Sequence, residues 1–461
     1  KSYLFNEQND SMLEPEREQF KLWPSSYDRE LFKLIVTKDQ EGIKAAQPKY
    51  FYKNGNLIKG QAPNLLKTYQ DLLERTRSFL DEKAEVEIPA QKAISGLIEG
   101  FLRGFQIVLI ELDDRDDAQE IFASLNGLAK PLAPFDLIRN DVFLRSKKLE
   151  EDSEALFEGR WKTFEAPFWT AQVRQGRLKR ARADHLIAHS VVAETGREVS
   201  VAKIASEYQR YAREAQFESV ASELDCLLVH AATYRQLEER PDGAITNRLA
   251  AVLECWDTAV FHPLVLWINA RIDADGNKSK LFKLIESYII RREICGLTPK
   301  NYNKVVTSWI RGIRQADEPI SAFVQQLGSG EGDISRCPTD AELREAFLTA
   351  PAYERIGSRR LRYILSNIEN AMRTNHDEVR LVTGDLTVEH IMPRKWSANW
   401  PLPNGEMSPS EDSWMLQYQE PPVSDEVKAL VRTRAALIDT FGNLTLLTRS
   451  ANPSIGNKGW E

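Results

Sequence analysis

The sequence predicts a mainly α protein with small α+β parts. Three observations carry that expectation. Apolar residues recur at i, i+3, i+4 and i+7 over much of the chain, the spacing of a helix with one buried face. Alternating, β-rich runs are short and few. After Arg380 the pattern changes to short apolar pieces broken by Gly, Pro and Asn.

The elements follow in order. Pro63–Lys83 places Leu65, Leu66, Tyr69, Leu72, Leu73 and Leu80 on one helical face. Phe105–Leu112 reads as a strand, and the acids Asp113–Asp117 follow it as a helix start. Asp116 with Gln119, and Asp117 with Glu120, have capping-box spacing, with Asp in place of Ser or Thr. Asp117–Leu144 then reads as a capped helix, a turn at Asn126-Gly127, a Lys-Pro connection and a second helix, with Asp136 in an N-cap role. Further helices are expected at Val220–Tyr234, Leu281–Ile289 and Leu361–Met372. Gly328–Pro338 reads as a hinge or surface loop, and Pro401–Pro422 as an irregular excursion. Strand-like pieces at Leu381–Met392 and Phe441–Leu447 flank a helix at Glu426–Asp439. The expected divisions are 1–145 (mixed), 146–375 (helical) and 376–461 (small α+β).

Composition narrows the function. The chain has 461 residues, 42% hydrophobic and 28% charged, a globular balance. No apolar run approaches the roughly 20 residues of a membrane span, so no membrane partner is expected. Four scattered cysteines, without Cys-x-x-Cys, argue against a disulfide framework and a cysteine-rich zinc site and point to a reducing cytoplasm. The net charge of −7 argues against nucleic-acid binding through the overall field, but not against a local basic groove. The chain starts at Lys1 without Met and stops at Glu461, so a processed or partial chain is expected.

Two C-terminal segments bring chemistry. One is Val388-Glu389-His390-Ile391-Met392-Pro393. The other is Phe441-Gly442-Asn443-Leu444-Thr445-Leu446-Leu447, followed by Asn452 and Lys458. Phosphodiester hydrolysis needs a base for water and a cation at the scissile phosphate. A neutral imidazole suits the base, and a carboxylate with an amide oxygen suits Mg²⁺. Taken singly, each piece is ordinary: a surface Glu-His pair, a turn with a strand, a turn Asn before Pro453. Neighbouring strand residues also face opposite ways, so Glu389 and His390 serve one ion only where the strand end twists.

Together these residues resemble the HNH (ββα-metal) nuclease motif. The resemblance implies His390 as general base and Glu389 and Asn452 as ligands of Mg²⁺ or Mn²⁺. It implies Asn443 as the residue supporting the active-site loop, and Lys458 as a DNA contact. Glu stands where Asp is commoner, Asn where the final His is commoner, and the loop between the strands is long.

Asp117–Leu144 (DAQEIFASLNGLAKPLAPFDLIRNDVFL) resembles the IFxxLNxxGKPLxxxDLIxN signature of the GmrSD-like, modification-dependent (type IV) restriction endonucleases. YIIRREICG at 288–296 and RYILSNIE at 362–369 agree with that family, and so does the C-terminal motif. The resemblance implies the remainder of a ParB/sulfiredoxin-like nucleotide-using domain, a helical region and a C-terminal HNH domain. It implies modified phage DNA as substrate and regulation by ATP or GTP, while the oligomeric state is left open, with a homo-oligomer as one option. Asn126, Lys130, Asp136 and Asn140 are its candidate nucleotide-binding residues. The family's Gly before Lys is Ala129 here. Its DGQQR motif has no counterpart, which is expected either if the chain begins downstream of it or if NTPase activity has been lost.

Val173–Arg182 is the densest basic run. Arg174, Arg177, Lys179, Arg180 and Arg182 are candidate phosphate contacts, with Phe168 and Trp169 as stacking candidates. The alternative is a solvated helix start. Arg291-Arg292 and Arg359-Arg360-Arg362 are weaker candidates, and Trp396, Trp400, Trp414 and Trp460 read mainly as small-domain core. The expected function is therefore a metal-dependent endonuclease or nickase with nucleotide regulation. The alternative is a nucleotide-dependent DNA-binding regulator with a degenerate nuclease domain.

Overall fold

The computed structural model describes Phe20 and residues 28–58, 60–105, 133–176, 178–200, 203–373 and 386–448. The chain forms two compact units, Lys1–Asp116 and Asp117–Glu461. The strand expected at Phe105–Leu112 and the capping acids Asp113–Asp117 lie outside the described residues, apart from Phe105.

In the first unit, α1 (Arg29–Thr37), α2 (Gln40–Ala46), α3 (Asn64–Glu85) and α4 (Ala90–Gly104) follow one another. Asp39 caps α2 by accepting from the Gly42 N–H. Leu31, Ile35, Ile43, Ala62 and Leu66 form a small core. The helix expected at Pro63–Lys83 is present, but its apolar face is buried only at its start. Leu66 is buried, whereas Leu72 is exposed. Only the first turns of α3 reach the core made with α1, and periodicity does not reveal where a partner ends.

The second unit is built around helices. They are α5 (Pro134–Lys148), α6 (Ser153–Gly159), α7 (Arg182–Thr195), α8 (Ile204–Glu214), α9 (Val220–Glu239), α10 (Asn247–Trp256), α11 (His262–Arg271) and α12 (Asp275–Ile294). After them come α13 (Tyr302–Arg314), α14 (Pro319–Gly328), α15 (Asp340–Thr349), α16 (Ala352–Arg355) and α17 (Ser358–Met372). Two capping boxes start helices where sequence chemistry requires them: Ser219 with Ser222 at α9, and Thr339 with Glu342 at α15. Val220, Leu224, Leu227, Ala231 and Tyr234 bury the expected face of α9. On α17, Leu361, Ile364 and Leu365 are buried and Met372 is exposed. Arg145 of α5 ties that helix to α9 through two hydrogen bonds to the buried Glu223, at 2.5 and 2.8 Å.

One alternative is corrected here. The run Val173–Arg182 is not a helix start. It is an antiparallel hairpin of β1 (Gln172–Gln175) and β2 (Leu178–Ala181), with Gly176 at positive φ in its turn. Gly328–Pro338 is a largely exposed loop, as expected, with a short helical turn at Gly332–Ser335. The buried guanidinium of Arg292 donates to the carbonyls of Asp333, Ile334 and Arg336 and fastens it.

The second β pair is β3 (Leu386–His390) with β4 (Leu444–Thr448), antiparallel, with Glu389 opposite Thr445 and His390 opposite Leu444. Val388, Phe441 and Leu444 bury themselves in the same core as α17. The chain between the strands carries α18 (Asp425–Leu437), where the helix was expected, and an irregular stretch before it. Trp396, Leu402, Leu416, Val427 and Val431 form its own small core. No described helix is long and apolar enough to cross a membrane.

Candidate active site

His390 is the last residue of β3, and the chain turns away immediately after it. Asn443 controls that turn. Its Oδ1 accepts the Met392 N–H at 2.8 Å, and its Nδ2 donates to the carbonyls of Met392 (3.0 Å) and Ile438 (2.8 Å). Its carbonyl oxygen accepts the Ile391 N–H at 2.8 Å. Asn443 lies in a 3₁₀ turn ahead of β4 rather than on the strand itself. One amide thus fixes the backbone after His390 to the end of α18.

A second constellation surrounds the ring. His390 Nε2 lies 2.8 Å from Asp439 Oδ1. The same oxygen accepts from Arg394 Nε (3.1 Å) and Nη2 (2.8 Å). Burial would raise the Asp439 carboxyl, but hydrogen bonds from Arg394 and His390, with their charges, hold it below the ordinary range. The Tyr353 ring packs against the imidazole at 4.4 Å between centroids, and Arg394 lies over its ring at 4.8 Å. The Tyr353 N–H donates to the Asp439 carbonyl at 3.0 Å. Asp439, Arg394 and Tyr353 escaped the sequence reading. One signal was available: an acid just beyond a helix C-terminus opposes the helix dipole and needs a cationic partner.

Glu389 is half-buried, and alternation along β3 sends it to the face opposite Val388 and His390. As a carboxylate it is a hard oxygen donor, which suits Mg²⁺ or Mn²⁺ with most of the coordination left to water. Asn452 and Lys458 lie outside the described residues. Among the described residues, one cluster of three His, Cys, Asp or Glu side chains lies close enough to hold an ion: Glu194, Cys226 and His230, in the helical core. Glu194 there meets Arg271 Nη2 at 2.8 Å and His230 Nε2 at 3.1 Å, so its charge is already compensated.

The other expected site residues are scattered. Asn126 and Lys130 lie outside the described residues. Asp136 and Asn140 lie one turn apart on α5. Asp136 does not cap the helix, since Ala133 precedes Pro134 and the Phe135 N–H goes to Asp184 Oδ1 at 3.2 Å. On the hairpin, Arg174 faces Lys179 across the strands and both are exposed, while Arg180 pairs with Val173 and is half-buried. Arg174 also borders an open cavity of about 340 Å³ that contains Glu238, Glu254 and Asp257. Arg177 lies outside the described residues. Arg182 is turned inward, bonded to Glu238 and the Phe168 carbonyl and stacked over Phe168. Trp169 is buried and is not available to stack on a base. The weaker basic candidates are also used internally. Arg291 bonds Asp340, Arg359 bonds Glu254, Arg360 bonds Glu293, and Arg362 bonds the Leu386 carbonyl.

Comparison with known proteins decides the family. The N-terminal domain of the GmrSD restriction endonucleases matches residues 2–143, and their C-terminal domain matches residues 337–461. The chain belongs to the GmrSD restriction endonucleases. The C-terminal match spans the whole of the β3–β4 site, including His390, Asp439 and Asn443. Membership makes this GmrSD-like protein a nuclease of modification-dependent restriction, acting on DNA, and its family points to a divalent ion. No curated protein and no solved structure matches the chain.

Proposed function

We propose that the GmrSD-like chain cleaves or nicks DNA by metal-dependent phosphodiester hydrolysis at the end of β3, with His390 as general base. The observation that carries this reading is the Asn443 clamp, which fixes the backbone leaving His390 through three side-chain hydrogen bonds. Catalytic groups need that kind of fixed placement. His390 takes the proton of the attacking water, and Asn443 keeps the loop in register. Glu389 and Asn452 would hold the cation. When bound, a divalent cation supplies charge at the scissile phosphate and the leaving oxygen. Arg174, Arg177, Lys179 and Arg180 on the hairpin, and Lys458, would contact phosphates. Nucleotide hydrolysis, of ATP or GTP, would regulate cleavage through the N-terminal segment that includes Asn126, Lys130, Asp136 and Asn140. The DNA would be modified phage DNA.

The test is plasmid nicking by the complete gene product with Mg²⁺ or Mn²⁺, with and without each nucleotide, on modified and unmodified DNA. His390→Ala is expected to lose on the order of 100-fold or more. Activity of that variant at the wild-type level would sink the assignment.

One observation favours a second reading, a DNA-binding regulator with a degenerate nuclease site. Glu389 and His390 lie on opposite faces of β3 by alternation. That reading expects DNA binding, no Mn²⁺ bound near Glu389, and no cleavage. Mn²⁺ titration of the wild type and Glu389→Ala separates the two.

A further inference from the structure

We propose that Asp439 is the positioning residue for His390: it fixes the ring orientation and the tautomer that leaves Nδ1 free to act as base. This rests on the hydrolytic reading above and extends it to a residue outside the motif.

Asp439 Oδ1 stands 2.8 Å from His390 Nε2 and also takes two N–H groups from Arg394. A carboxylate held ionised by a guanidinium can only accept a hydrogen bond. The proton between Asp439 and His390 therefore sits on Nε2. In the neutral ring the lone pair is then on Nδ1, and among the described residues Nδ1 has no hydrogen-bond partner. Tyr353 closes one face of the ring at 4.4 Å, so rotation away from Asp439 meets an aromatic wall.

The same arrangement limits what Asp439 does. The carboxylate acts on ring geometry and tautomer. In the reaction, one proton passes from the attacking water to Nδ1, Nε2 keeps its own, and Asp439 stays ionised throughout. The convergence of all three donors on one oxygen yields a sharp expectation for Asp439→Asn. Arg394 and His390 both require an acceptor at that position, so the amide oxygen occupies it and the Nε2–H tautomer persists.

The experiment uses the full chain with four variants: Asp439→Ala, Asp439→Asn, His390→Ala and the double His390→Ala/Asp439→Ala. Nicking rates are read at saturating DNA and Mn²⁺, with DNA affinity and thermal melts alongside. Histidine-labelled protein, with six His in all, reports the His390 tautomer by long-range ¹H–¹⁵N correlation without any metal. The expected result is a kcat loss of about 100-fold for Asp439→Ala with little change in DNA affinity. Asp439→Asn is expected to stay within about 10-fold of wild type. The double variant should match His390→Ala, because a residue acting through His390 has nothing left to act on. Wild type and Asp439→Asn should show the Nε2–H form, and Asp439→Ala a mixture. The proposal is overturned if Asp439→Ala nicks like wild type while His390→Ala is inactive. It is equally overturned if Asp439→Ala lowers activity further in the His390→Ala background, or leaves His390 wholly Nε2–H. If His390→Ala itself nicks like wild type, the hydrolytic reading fails and this one fails with it.

Discussion

Replacing Arg292 tests how the helical unit of this GmrSD-like protein uses its arginines. Its guanidinium is fully buried. Nη1 donates to the Arg336 carbonyl at 2.7 Å, Nη2 to Thr298 (2.6 Å), Asp333 (2.8 Å) and Ile334 (3.1 Å), and Nε to the Tyr302 hydroxyl at 3.3 Å. The Tyr288 and Tyr302 rings lie 5.2 and 5.5 Å away. The charge is therefore compensated by carbonyl dipoles and aromatic faces. Hydrogen bonds to a charged group contribute roughly 1.5–3 kcal/mol each, and an acceptor left buried and unpaired costs roughly 1–3 kcal/mol. Some of the released carbonyls lie on a loop that water can reach, so the individual terms do not add in full. Arg292→Ala is expected to cost about 4 kcal/mol. Arg292→Lys, with three donors on one atom, cannot span the same acceptors and is expected to cost about 2 kcal/mol. Urea denaturation followed by tryptophan fluorescence measures both, and proteolytic cutting within 329–338 should accelerate in step. A loss below about 1 kcal/mol for the alanine variant, with the loop still resistant, would refute the idea that this side chain fastens the segment.

Three further outcomes follow from the same structure. Burial would raise the Glu194 carboxyl, but His230 and Arg271 outweigh it and hold it at about 2, well below the ordinary carboxylate range. A depressed carboxylate stabilises above its unfolded pKa, so about 3 kcal/mol should be lost as pH falls from 4.5 towards 2. Acid unfolding of Glu194→Gln should lack that component. Gly196 ends α7 at φ +64°, and a Cβ there would lie 2.5 Å from Arg311 Cγ and 3.2 Å from its backbone nitrogen. Gly196→Ala should therefore cost about 2 kcal/mol or more in the same urea assay. On the hairpin, replacing Arg174 and Lys179 by Ala should weaken DNA binding and reduce the slope of log affinity against log salt by about 2. Arg182→Ala should leave that slope alone and lower the melting temperature, since its partners are Glu238 and Phe168.

The parts legible from sequence were those set by local periodicity and by short-range chemistry. α9, α12 and α17 follow their apolar spacing because each buries one continuous stripe. The antiparallel pairing of the strands that carry Glu389-His390 and Leu444–Leu447 was legible because both are short apolar pieces in spaced motifs. Asp439 was not, because its neighbours in space are Arg394 and Tyr353, 45 and 86 residues earlier in the chain. The roles of the basic residues were hidden for the same reason. Arg292 reads as an exposed charge on an amphipathic helix, yet its acceptors lie on a loop after α14. Arg360 finds Glu293 across 67 residues. Side-chain charge is visible in a sequence; the distant partner that uses it is not.

That distinction changes what the net charge of −7 means for a DNA-cutting enzyme. The basic runs could have formed a groove despite the overall acidity. Instead, Arg182, Arg291, Arg292, Arg359, Arg360 and Arg362 are bonded to carboxylates or carbonyls within the fold. Those cations hold helices together and release few counterions on binding. Among the residues proposed to touch phosphate and described here, Arg174 and Lys179 stand exposed together at the hairpin. With Arg177, Arg180 and Lys458 they would make at most about five contacts, which gives a moderate salt dependence. A steep slope, corresponding to six or more phosphates, would mean that DNA is held by other residues. With a moderate slope, the energy that commits the enzyme to a given DNA has to come from recognising the modification itself.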